Sequence, residues 1–213
     1  MLDPKARTRI TYSEQFSDSA TETDLQPGFI AFHRRNFCKY FQLAPDEFRD
    51  KYVLETGAGP GKHAAVLHSL GTDVTAIDLL DSNIEAINRL KAKNNLSNLA
   101  AYQADLMHPL PEDWRRFDLI SAHNWLQHTS NPGTVLGVLT EKLKVGGRLY
   151  LSVYQSGTFR FFISQIARSV LRWNDREVAK KLMPFLFPMG LLEFENPDDI
   201  YFENVFDDFW VPH

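Results

Sequence analysis

The stretch Lys51 to His63, KYVLETGAGPGKH, constrains the fold of this chain more than any other. Tyr52, Val53 and Leu54 form a short apolar run suited to a buried strand, and the acid Glu55 closes it. Gly57, Gly59 and Gly61 then fall on alternate positions, and the residues from His63 to His68 read as the start of a helix. Glycine lets the backbone take positive φ and lets a ligand approach where a Cβ would collide. A strand, a glycine turn and a helix N-terminus together make a ligand cradle with outward-pointing N–H groups. Such a turn lies at the carboxyl end of the first strand of an open α/β sheet, beside the switch point.

Spacing narrows the ligand. The dinucleotide fingerprint GxGxxG would put its third glycine at position 62, which here is Lys62, a residue unable to supply close helix–strand packing. The pattern is instead acid-x-Gly-x-Gly-x-Gly. The rest of the chain alternates strands and helices. Asp73–Asp78 reads as a second strand, and Asp78 ends it 21 residues after Gly57, where doubly wound folds place an acid against a ribose. A carboxylate can accept from both ribose hydroxyls. Asp81, Ser82 and Asn83 can cap the next helix, whose apolar positions Ile84, Ile87 and Leu90 share one face. Leu99–Ala104 reads as a third strand, followed by Asp105 and Leu106, and Phe117–Ala122 as a fourth. A helix carrying Val135, Leu136, Leu139 and Leu143 follows, stopped by Lys144-Val-Gly-Gly147, and Arg148–Tyr154 is the fifth strand. Five alternations argue for a Rossmann-like, doubly wound, mainly parallel α/β sheet with helices on both faces.

The glycine pattern resembles the first motif of class I S-adenosylmethionine-dependent methyltransferases. FDLISAHNWLQHTSNP and KVGGRLYLSVY resemble the fourth- and fifth-strand signatures of the branch that includes quinone-biosynthesis enzymes. The resemblance covers about residues 50 to 154. Gln127 stands where that branch often has the first of two histidines, and Val145 replaces a proline. The resemblance implies S-adenosylmethionine as cofactor and methyl transfer to a small-molecule acceptor by in-line displacement. It implies that Glu55 and the Gly57–Gly61 backbone hold the methionine end, with the His123 region closing over it. Asp78 would fix the ribose, Asp105 with Leu106 and Leu79 the adenine, and Asn83 joins this cofactor-binding set. His128, just beyond the fourth strand, is the candidate general base, against a structural role bonded to a loop carbonyl. The rival readings are a non-catalytic S-adenosylmethionine-binding module and an NAD(P)-dependent oxidoreductase.

Composition sets outer bounds. A net charge of −4 argues against a dedicated nucleic-acid binder. One cysteine, Cys38, suits a reducing compartment, and with no membrane span or leader in view the expected location is the cytoplasm. No HExxH or Cys/His cluster is present, so no metal is implied. Residues 1–26 read as a polar arm. From Gly28 to Leu43, Phe29, Phe32 or His33, Phe37, Tyr40 and Phe41 recur at helical spacing, either as edge packing or as a lid. With that helix, residues 27–154 form the cofactor-binding core. Residues 155–213 read as a helical, aromatic cap in which the family's closing antiparallel hairpin is missing, so the chain is expected to be a fragment or a natural truncation. The fifth strand would then be an exposed edge through which oligomers could form.

Overall fold

A computed structural model describes residues 25–153. The chain divides into two units, Met1–Tyr154 and Gln155–His213, and the second lies outside the described residues. The polar arm, the cap helices and the expected loss of the hairpin lie outside them too.

The element order is α1 (Pro27–Phe41), a 3-10 turn (Pro45–Phe48), β1 (Tyr52–Thr56), α2 (Lys62–Ser69), β2 (Asp73–Asp78), α3 (Asp81–Asn94), β3 (Leu99–Gln103), β4 (Phe117–His123), a second 3-10 turn (Leu126–His128), α4 (Pro132–Glu141) and β5 (Leu143–Ser152). The five strands form one sheet in the order β3-β2-β1-β4-β5, and every pairing is parallel. The chain winds outward from β1 to β3, then returns to place β4 on the other side of β1. The crevice at the carboxyl ends of β1 and β4 is therefore the switch point.

Side chains on a strand alternate between faces, and both faces of this sheet are covered. On β1, Val53 enters one apolar cluster with Phe37 and Phe41 of α1, Val66 and Leu67 of α2 and Ile87 and Leu90 of α3. Leu54, the next residue, enters a second cluster with Ile120 of β4 and Val135 and Leu139 of α4. Burying each such side chain contributes roughly 1.5–3 kcal/mol, so the two-faced pattern is what makes β1 and β4 continuous apolar runs.

Three expectations change in detail. On α1 the buried positions are His33, Phe37 and Phe41, whereas Phe32 is 48% exposed. The helix is packed down as part of the core: Arg148 of β5 donates from Nη1 to the carbonyls of Phe41 and, at 2.7 Å, Gln42, which satisfies the helix C-terminus. The N-cap of α3 is Leu80, whose side chain cannot cap, and Asp81, Ser82 and Asn83 lie inside the first turn instead. The third concerns Lys144–Gly147, which does not stop a helix. Helix α4 ends at Glu141, and these residues form an irregularity inside β5, where pairing jumps from Phe117–Leu143 to Leu119–Arg148. Gly146 supplies the positive φ of 76° there. Among the described residues β5 is an edge of the sheet, with Val145 fully exposed.

Candidate functional site

Each glycine of the turn has positive φ, but the three serve different ends. A Cβ on Gly57 would lie 2.5 Å from Cδ1 and Cγ of Trp125, and one on Gly61 would lie 2.7 Å from Ile87 of α3. A Cβ on Gly59 would meet nothing within 4 Å. Gly57 and Gly61 thus permit packing, and Gly59 alone faces open space.

The turn is tied to β2. Asp78 Oδ2 accepts from the Gly59 N–H at 2.8 Å, while Oδ1 accepts from the Leu80 N–H at 2.9 Å and from Asn83 Nδ2 at 3.0 Å. A carboxylate offers about four acceptor sites. Three are used here, which leaves one on Oδ2 for a ligand hydroxyl rather than the two that the sequence suggests. Asn83, 2% exposed, turns its Oδ1 inward without a partner.

Glu55 is 2% exposed between β2 and β4, opposite Ser121. Burial pushes its carboxyl up to about 8, and the nearby Ser121 hydroxyl opposes that only in part. Glu55 Oε2 and Ser121 Oγ are both buried without a hydrogen bond. The acid is thus held neutral at the root of the turn.

The loop after β4 is built on Asn124, whose φ of 57° reverses the chain. Its N–H donates to Ser152 O at 3.0 Å, and its Oδ1 accepts from the Ser152 hydroxyl. The reversal folds Trp125 back over Gly57, where indole Nε1 donates to Thr56 Oγ1 at 3.1 Å and that hydroxyl donates to Ser121 O at 2.8 Å. Within the His123 region, Trp125 is the residue that packs against the first glycine. Gln127 and His128 follow on the second 3-10 turn, with Gln127 Nε2 3.2 Å from His128 Nε2.

His123 joins a buried stack instead. Its ring centroid lies 5.0 Å from His63 of α2, which lies 4.7 Å from His33 of α1. Phe29, Phe37, Tyr40 and Tyr150 surround the three rings. Burial lowers all three imidazoles, His33 to about 4, and mutual repulsion lowers His33 and His63 further, so the stack is neutral near pH 7. Leu79, Asp105 and Leu106 sit at or just beyond the β2 and β3 ends. Leu106 is buried, Asp105 Oδ1 accepts from Met107 N, and the Leu79 carbonyl accepts from Gln103 Nε2. Sequence reasoning missed Trp125, Ser121 and Thr56. Only the identity of Trp125, a large aromatic inside the fourth-strand signature, could have drawn attention to it.

The buried side-chain polar atoms without partners among the described residues are Glu55 Oε2, Ser121 Oγ, His123 Nδ1, Gln127 Oε1 and Asn83 Oδ1. All lie on or just beyond β1 and β4, or at the α3 N-terminus beside Asp78. Buried polar atoms are normally satisfied, so unpartnered ones at the carboxyl ends of β1 and β4 and at the α3 N-terminus mark where a polar ligand belongs. With the open face of Gly59, they fit a nucleoside bearing a charged amino-acid end. No group of ligands suited to a metal occurs among the described residues.

The fold and the turn define a Rossmann-like domain of the methyltransferase type. A model of the Methyltransferase domain family matches residues 29–200, and the chain belongs to that family, whose cofactor is S-adenosylmethionine. The mitochondrial ubiquinone biosynthesis O-methyltransferase of Arabidopsis thaliana is 27% identical over 155 residues, covering 70% of this chain and 48% of that protein. The enzyme of the same name from Coxiella burnetii is 29% identical over 104 residues, covering 49% of this chain and 44% of its own. The chain thus spans about half the length of these relatives, although the Bartonella tribocorum enzyme matches at 25% identity over 91% of this chain and 84% of its own. Among solved structures, PKMT2 from Rickettsia typhi superposes with a TM-score of 0.59 at 20% identity, over 83% of this chain and 35% of that one, which shows the shared fold.

Proposed function

We propose that this chain transfers the methyl group of S-adenosylmethionine to a hydroxyl oxygen of a small-molecule acceptor. The observation that carries the ligand site is the set of unpartnered buried atoms on Glu55, Ser121, His123 and Gln127, on or just beyond β1 and β4, together with the open space in front of Gly59. Choice of an oxygen acceptor is supported by the relatives named above, which are O-methyltransferases. When bound, the cofactor would supply a methyl group on a sulfonium, already a good electrophile: an O–C bond would form in line as the C–S bond breaks, S-adenosylhomocysteine leaving and the hydroxyl giving up its proton.

The protein's work is then positioning. Holding nucleophile and methyl carbon in line is worth up to about 7–11 kcal/mol in ideal cases. Glu55 and the Gly57–Gly61 backbone would hold the methionine end, the last acceptor site of Asp78 one ribose hydroxyl, and Asp105, Leu106 and Leu79 the adenine, with Asn83 supporting Asp78. Trp125 would wall the methionine end, and His128 would face the acceptor. The Methyltransferase domain match over residues 29–200 speaks against the oxidoreductase reading. A reducing, aqueous location such as the cytoplasm suits a chain with one cysteine, and no described helix is long and apolar enough to cross a membrane.

The test is transfer of labelled methyl from S-adenosylmethionine to a panel of catechols, phenols and aliphatic alcohols. Label on a hydroxyl oxygen is the expected result. Label on amines or carbon only would overturn the oxygen assignment. Tight cofactor binding with no transfer to any acceptor would favour the non-catalytic reading.

A further inference from the structure

We propose that Gln127 is a positioning residue that holds His128 as the neutral imidazole with its proton on Nδ1 and its Nε2 lone pair turned to the Gln127 amide. The orientation of that amide is set by its other partner. Gln127 Nε2 lies 2.7 Å from the carbonyl oxygen of Asn124. Two oxygens at that distance would repel, so the nitrogen end must face Asn124. The same nitrogen lies 3.2 Å from His128 Nε2. An amide nitrogen carries two hydrogens and accepts nothing. One hydrogen goes to Asn124, and the other can be received only by an unprotonated Nε2, which places the ring proton on Nδ1.

Both ends of this contact are rigid. Asn124 is locked by its two hydrogen bonds to Ser152, and the His128 N–H donates to Trp125 O at 2.9 Å within the 3-10 turn. Gln127 Oε1, left buried and without a partner, is the acceptor this amide offers to a ligand. The consequence for chemistry is specific. While the Gln127 contact holds, Nε2 cannot take a proton from an acceptor hydroxyl. Deprotonation there requires the amide to move aside. Only this kinetic consequence rests on the methyltransferase reading; the tautomer does not.

The test is a long-range proton–nitrogen correlation spectrum of the full chain with labelled histidine rings, His128 being assigned by its loss in His128→Gln. In the wild type near neutral pH, His128 Nε2 should resonate as an unprotonated nitrogen. Gln127→Glu puts an acceptor-only carboxylate against Nε2, so the proton should move to Nε2. Gln127→Leu, which removes the donor without adding charge, should shift the ring away from the pure Nδ1–H form. Thermal melts confirm that both variants are folded. A protonated Nε2 in the wild type, or a tautomer unchanged in both variants, overturns the proposal. A pH profile of methyl transfer, displaced in Gln127→Glu when read at saturating S-adenosylmethionine, would extend it to turnover. If no variant or wild type transfers methyl, the methyltransferase reading fails and the ring-proton result stands by itself.

Discussion

Gly57 and Gly59 share a left-handed backbone but differ in what a methyl group would meet. At Gly57, φ is 59° and the added Cβ would press on Trp125 at 2.5 Å. The left-handed conformation costs a non-glycine residue about 1–2 kcal/mol, and overpacking adds about 1–3 kcal/mol. Gly57→Ala should therefore lower the melting temperature clearly. Gly59→Ala, with φ 52° and nothing in the way, should carry only the first cost. It should stay folded and still lose S-adenosylhomocysteine binding, because its methyl fills the ligand's approach. Equal effects of the two on stability would contradict this division of roles. Glu55 makes a second residue-scale prediction. Its carboxyl sits at about 8 in the fold against an ordinary 4.5, so the folded state binds the extra proton. The stability contributed by the neutral acid is complete below pH 4.5 and is lost as pH rises toward 8. Glu55→Gln removes that slope, and urea titrations should find the variant gaining on the wild type by a few kcal/mol between pH 5 and pH 8.5. Parallel pH profiles would contradict a buried neutral acid.

The element that matters most beside the glycine turn is α1. It is fastened to α2 and β4 by the His33–His63–His123 stack and to β5 by Arg148 and by Tyr40 stacked on Tyr150 at 4.3 Å. The stack makes this fastening sensitive to acid. The folded state keeps His33 neutral down to about 4, whereas the unfolded chain protonates it near 6.5. No penalty exists above 6.5, and stability falls as pH drops from 6.5 toward 4, by about 2 kcal/mol at pH 5 from His33 alone. His33→Gln should flatten this part of the pH–stability curve, as read by urea unfolding at pH 7.5 and 5. An equally steep fall in the variant would mean that His33 is not neutral in the fold. None of this was legible along the chain, because the three histidines come from separate elements and no local period links them. Nor was the bulge at Lys144–Gly147, since a glycine pair after a helical stretch reads the same whether it ends a helix or interrupts a strand.

At the scale of the molecule, the doubly wound order follows from features that are local and strong. β1, β2 and β4 are short, largely buried strands with Glu55, Asp78 and His123 at or next to their carboxyl ends, and the glycine turn joins the first of them to a helix. Those features bring the Gly59 N–H onto Asp78. Trp125 over Gly57 was not legible, because it depends on the left-handed turn at Asn124. The partial saturation of Asp78 was not legible either, because its partners are backbone groups brought up by the fold. The central claim is that these parts form a cradle for S-adenosylmethionine, and calorimetric titration of the full chain and of Asp78→Ala with S-adenosylhomocysteine tests it most directly. Losing a hydrogen bond that holds the ligand, together with the tie to Gly59, should weaken binding by roughly ten- to a hundred-fold or more. Micromolar binding by the wild type, weakened in this way, is the expected result. No binding by a folded wild type, or binding indifferent to Asp78, would contradict the assignment of the cradle.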